Sequence, residues 1–177
     1  FFTPFLGGLI ADRYLGYRRS IILGGLLMGA GYCMMGIHNL NMLYLSMALV
    51  IIGNGFFKPN ISSMVGQLYK DVDSRRDAGF SLFYAGINLG ALLGGYFCIA
   101  IGKGTFMGSI IPADYSWNVA FGLAAVVMTI SLVTFLFTKN SMGNIGISPF
   151  EAKGITNKKW LDYTIYGGAL LAIPLIM

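Results

Sequence analysis

Charge is scarce in this sequence. Lysine and arginine number 12 and aspartate and glutamate 7 among 177 residues, 11% in all, whereas a soluble domain carries about a quarter. So few charges exclude a solvated globular surface. Cysteine is scarcer still: Cys33 and Cys98 both stand in apolar runs, read as small packing residues, and no disulfide is expected. One histidine, His38, leaves no metal-ligand cluster to draw. No nucleophile stands beside a base and no glycine-rich loop could cradle phosphate, so nothing indicates an enzyme, a metal or another cofactor. The net charge of +5 needs no nucleic acid to explain it, because the basic residues sit where membrane topology wants them.

What is abundant is hydrocarbon. Hydrophobic residues make up 56% of the chain, and the charges cluster between apolar runs, each long enough to cross a bilayer as a helix. The expectation is an all-α membrane protein, with the lipid bilayer as its solvent. Phe1 to Ala11 reads as the end of one helix and Asp12 to Arg19 as a charged loop. Further spans are expected at Ser20 to Ile37, Met42 to Tyr69, Ala78 to Ile101 and Trp117 to Thr138. A linker, 139–159, leads to a last apolar run, 160–177. Both ends of the sequence fall inside apolar runs, so a longer polypeptide is expected. Loops 12–19, 70–77 and 139–159 hold Arg13, Arg18, Arg19, Lys70, Arg75, Arg76, Lys139, Lys153, Lys158 and Lys159, against Lys103 alone in the other loops. That bias places the regions near Asp73 and Asn144 in the cytoplasm and Gly104 outside.

The remaining cation is the exception. Lys58 lies in Gly53-Asn54-Gly55-Phe56-Phe57-Lys58-Pro59-Asn60, with no other charge between Met42 and Tyr69. It stands twelve residues before Lys70, about 18 Å of helical rise, and half of a bilayer core is roughly 15 Å. A lysine stem cannot snorkel to the interface from there, so Lys58 is a candidate functional residue. Its partner must be a substrate or another helix, because every acid of this sequence lies in a loop or near a span end. Gly55 and Pro59 weaken the helix around it and suggest a hinge. Asn88, eleven residues above Asp77 or about 16 Å of rise, is expected at the depth of Lys58 on the next helix. Its amide can serve an interhelical bond or a ligand, and Tyr84, one turn earlier, can pack or contact substrate. Gly86, Gly90 and Gly94 form a stripe for close helix packing.

Three stretches carry a family resemblance. Asp12-Arg13-Tyr14-Leu15-Gly16-Tyr17-Arg18-Arg19 resembles the turn between the second and third helices of the major facilitator superfamily, with one extra residue before Gly16. Gly53 to Asn60, with Gly66 following, and Phe80-Ser81-Leu82-Phe83-Tyr84-Ala85-Gly86-Ile87-Asn88-Leu89-Gly90 look like the two signatures of the proton-dependent oligopeptide transporter (POT) family.

The resemblance implies a twelve-helix bundle, of which this sequence would hold helices two to six in residues 1–138. Residues 160–177 would begin the seventh helix or an inserted helical pair. It further implies proton-coupled symport of di- and tripeptides by alternating access in the cell membrane, with protons and small peptides as partners and the gradient as driving force. Lys58 matches the family's proton-coupling lysine and Asn88 the asparagine that binds the peptide backbone. Asp12, Arg13, Arg18 and Arg19 fall in the gating turn. Phe1 stands where the family usually has tyrosine, so the ring remains and a hydroxyl donor is gone. The family's Glu-x-x-Glu-Arg motif is expected upstream of residue 1, in the missing helices of the same polypeptide. A relative carrying nitrate or another small anion, or a membrane scaffold without transport, would be the alternatives.

Overall fold

The computed structural model describes residues 2–69, 74–106, 110–148, 163–164 and 167–168. Among the described residues up to 148, five α-helices form where apolar runs leave the backbone no partner but itself. They are α1 (Phe2–Ile10), α2 (Tyr17–Met35), α3 (Leu40–Gln67), α4 (Arg76–Gly102) and α5 (Ser116–Thr138). Short 3-10 turns, Ala113–Tyr115 and Lys139–Met142, flank α5. Among the described residues, the stretches Leu40–Gln67, Arg76–Gly102 and Ala113–Met142 are long and apolar enough to cross a membrane. The 19 residues of α2 fall short of that measure, having Arg18 and Arg19 in their first turn. Asn39 caps α3, its extended backbone letting the side chain accept a hydrogen bond from the Asn41 amide at 2.9 Å.

The charged stretch 12–19, expected as a loop, is mostly helical. A π turn, Ala11–Leu15, extends α1, and the break falls on Gly16 alone. Gly16 has φ +77°, and a Cβ there would meet the Ser148 amide nitrogen at 2.5 Å. Arg18 and Arg19 therefore belong to α2 rather than to a flexible connection.

α3 is the middle of the bundle, packed on α2 and α1. The approach is backbone to backbone. A Cβ on Gly24 would meet the Gly53 carbonyl oxygen at 2.6 Å, and one on Gly55 the Thr3 carbonyl oxygen at 2.8 Å. Lipid supplies no hydrophobic drive between helices, so such close van der Waals contact is what holds them. Leu15, Leu27, Leu49, Ile52 and Phe56 form the buried core between these three helices. α5 packs on α2, where Leu132 covers Gly25, and the Asn118 amide donates to the Met35 carbonyl at 3.3 Å.

α4 packs more on α5 than on α3. Its contacts with α3 gather near the turn that joins them, where the Tyr69 ring lies on Gly79 and Phe80 approaches Gly66. Beyond that it leans on α5, with the Trp117 ring against Gly102. The stripe Gly86, Gly90 and Gly94 meets nothing among the described residues.

Candidate functional site

Helical rotation divides α3 into two faces. Phe56, Asn60 and Met64 are buried; Tyr44, Met47, Ile51, Asn54 and Lys58, spaced by three and four residues, are exposed. Lys58 thus stands on the face turned away from α1 and α2. No described residue pairs with its ammonium, and its backbone carbonyl accepts the Ser62 hydroxyl at 3.3 Å. On α4, Tyr84 and Asn88 are both exposed, one turn apart. The Tyr84 ring stacks on Phe80 at 6.5 Å and meets Phe83 edge-on at 5.7 Å. Lys58 and Asn88 are on sequence-adjacent helices, and both are exposed among the described residues. Phe1 lies outside the described residues.

Pro59 does not interrupt α3, which runs unbroken through it. Gly55, expected as a hinge, is occupied with close approach to α1. Asn60, which sequence reasoning passed over, adds the polar link: it is 1% exposed, and its amide donates to the Phe56 carbonyl at 2.6 Å and the Gly7 carbonyl at 3.3 Å. The lysine therefore projects from a helix whose opposite side is pinned to α1. The signal in the sequence was the type of residue alone, an amide directly after Lys-Pro.

The second candidate site lies at the basic end of the bundle. Asp12 and Arg13 are exposed on the π turn. The Tyr17 hydroxyl hydrogen-bonds the Asp12 carboxylate. Burial first, and then Asp12, push Tyr17 up from 10.0 to about 12. Arg18 is held by backbone oxygens of the segment after α5. Its guanidinium donates to the Gly143 carbonyl at 2.6 Å and its backbone amide to the Gly146 carbonyl at 2.9 Å. The Gly146 amide donates to Gln67 Oε1 at 3.0 Å, and the buried Ser148 hydroxyl to the Tyr14 carbonyl at 2.7 Å. Residues 143–148 thus form a strap across the α1–α2 turn and the end of α3. Arg19 is half-buried in the first turn of α2. Between strap, α3 and α4 an open cavity of about 770 Å³ is lined by Ser62, Gln67, Tyr69, Arg76, Phe80 and Asn144, among others.

The family model described as the POT family matches residues 18–152. The chain belongs to the POT family. A di-/tripeptide transporter of Lactococcus lactis subsp. cremoris is 35% identical over 89% of this chain and 31% of its own length. The uncharacterized transporter YclF of Bacillus subtilis (strain 168) is 34% identical over 100% of this chain and 34% of its own. Among solved structures, a peptide transporter crystallised in complex with alafosfalin matches with a TM-score of 0.73 and 38% identity, over 99% of this chain and 35% of that one. The chain spans about a third of the length of these relatives. It has the all-helical fold of POT transporters of the major facilitator type and is a multi-pass integral membrane protein.

Proposed function

We propose that the protein of this chain is a symporter that moves di- and tripeptides with protons by alternating access, without any covalent step. The observation that carries the reading is Lys58: a cation in an apolar helix, on an exposed face, with no described acid beside it. Such a charge is tolerated where something negative takes turns beside it, because an uncompensated ion in low dielectric is costly. A peptide carboxylate and a carboxylate of the same polypeptide that gains and loses a proton are the two partners that would give coupling. The peptide-transporting relative and the alafosfalin complex support that choice of substrate. In this reading Asn88 and Tyr84 contact the peptide across from the lysine, and Phe1 lines the same space. Asp12, Arg13, Arg18 and Arg19 serve the gate.

The test is uptake by the full polypeptide in proteoliposomes. Lys58→Ala is expected to abolish dipeptide accumulation driven by an imposed proton gradient, while peptide exchange without net proton movement persists. Lys58→Arg, which keeps the charge but alters its shape, is expected to be impaired as well. Wild-type accumulation by Lys58→Ala would remove the lysine from the mechanism.

A further inference from the structure

We propose that Asn54 is a second ligand-contacting residue, which reads the peptide bond next to the carboxylate seated on Lys58. The inference rests on the peptide reading above and names a specificity contact within it. Asn54 precedes Lys58 by four residues, which puts the two on one face about 6 Å apart along the axis. Both are exposed, in a stripe whose other members, Tyr44, Met47 and Ile51, are not charged.

The orientation of Asn54 is fixed by its neighbours in sequence. Gly53 is in backbone contact with α2, where a Cβ would meet the Gly24 carbonyl oxygen at 2.7 Å, and Gly55 is in backbone contact with α1. Neither helix can give way without losing the core, so α3 cannot rotate to hide the amide between them. Several hydroxyl side chains of the bundle bond to a carbonyl of their own helix. Ser62 donates to the Lys58 carbonyl at 3.3 Å, Thr129 to the Ala125 carbonyl at 2.8 Å and Thr134 to the Ile130 carbonyl at 2.8 Å. Asn54 makes no such bond among the described residues. An amide left open in an apolar helix carries a cost that a ligand can offset.

The chemistry of the pair selects the ligand. An ammonium takes a carboxylate; an amide offers one acceptor and two donors, the complement of a peptide group's N–H and C=O. In an extended peptide the last peptide bond lies within about 4 Å of the terminal carboxylate carbon, and the flexible lysine stem accommodates the remaining offset. A small inorganic anion would engage Lys58 and leave Asn54 without a role.

The experiment compares alanyl-alanine with its ester analogue, alanyl-lactate, as competitors for labelled-dipeptide counterflow by the full polypeptide. The ester lacks the N–H and accepts more weakly. Wild type is expected to prefer the peptide by about tenfold, the net worth of one hydrogen bond. Asn54→Leu is expected to raise the KM for the peptide about tenfold, hold that for the ester and so erase the preference. Asn54→Thr, which puts a hydroxyl in place of the amide, should recover part of it and guards against a misfolded leucine variant. A peptide-over-ester preference retained in Asn54→Leu overturns the assignment, as would its absence in wild type. Failure of wild type to bind either compound would instead overturn the peptide reading of Lys58.

Discussion

Asn60 and Gly55 show how individual residues hold the helix that carries Lys58. Pro59 has no N–H to give the Gly55 carbonyl, and that oxygen lies against the backbone of Gly7 on α1. One residue further on, the Asn60 amide donates to the Gly7 carbonyl. The Gly55 carbonyl, which proline leaves without its helical donor, is thus covered by the backbone of a neighbouring helix. Gly55→Ala would drive its Cβ into Thr3 backbone atoms at 2.8 and 2.9 Å, which cannot swing aside. We expect a loss of about 1–3 kcal/mol, the usual cost of overpacking, read as a lower Tm in detergent. Gly29→Ala, with nothing within 4 Å, should leave the Tm unchanged. An equal Tm for both variants would mean that α1 does not press on α3. Lys58 was legible in the sequence because charge against hydrocarbon is visible without any structure. The use of Gly55 was not, since glycine before proline reads equally as freedom and as close approach, and only the neighbouring helix distinguishes them.

At the scale of elements, five helices could be read from alternating apolar runs and charged clusters, and their bounds moved by two or three residues at most. The exception was the stretch 12–19, where charge suggested a loop although it contains one residue, Gly16, that breaks the helix. The strap was illegible for a plain reason: its bonds to Arg18 and Tyr14 join residues 125 and 134 positions apart, and no periodicity reports that. In the turn between α1 and α2, Tyr17 gives Asp12 a fixed donor. Asp12→Asn replaces a charge-assisted bond by a weaker neutral one, and Tyr17→Phe removes it. Both are expected to shift the balance of gate conformations in the same direction by about 1 kcal/mol, a common scale for such coupling, measured by spin-label distances across the basic end. Because the folded-state value of Tyr17 is raised from 10.0 to about 12, the contribution of its protonated hydroxyl is complete below pH 10. It is lost only as pH rises through about 12. The Tyr17→Phe shift should therefore be the same at pH 6 and pH 9, and a shift that vanished at pH 9 would contradict the assignment.

For the molecule as a whole, the sequence orients the bundle through its basic residues and the structure adds a constraint of a different kind. The strap bonds Gly143 and Gly146 to Arg18 and Gln67, so Asn144 must share a side with the α1–α2 turn whatever the membrane orientation. Gly104 follows the other end of α4, whose 27 residues put about 40 Å of helical rise between that end and its basic first turn. Two sites are thus forced apart by packing, and the positive-inside rule then says which is cytoplasmic. In a background with Cys33→Ala and Cys98→Ala, a cysteine at Asn144 is expected to react with a membrane-impermeant maleimide only after cells are opened. A cysteine at Gly104 is expected to react in sealed cells. Reversal of both results would leave the bundle intact and overturn the orientation drawn from the basic residues. Reaction of both from the same side would break the packing itself, because no placement of α4 across a bilayer could then keep the strap on Arg18.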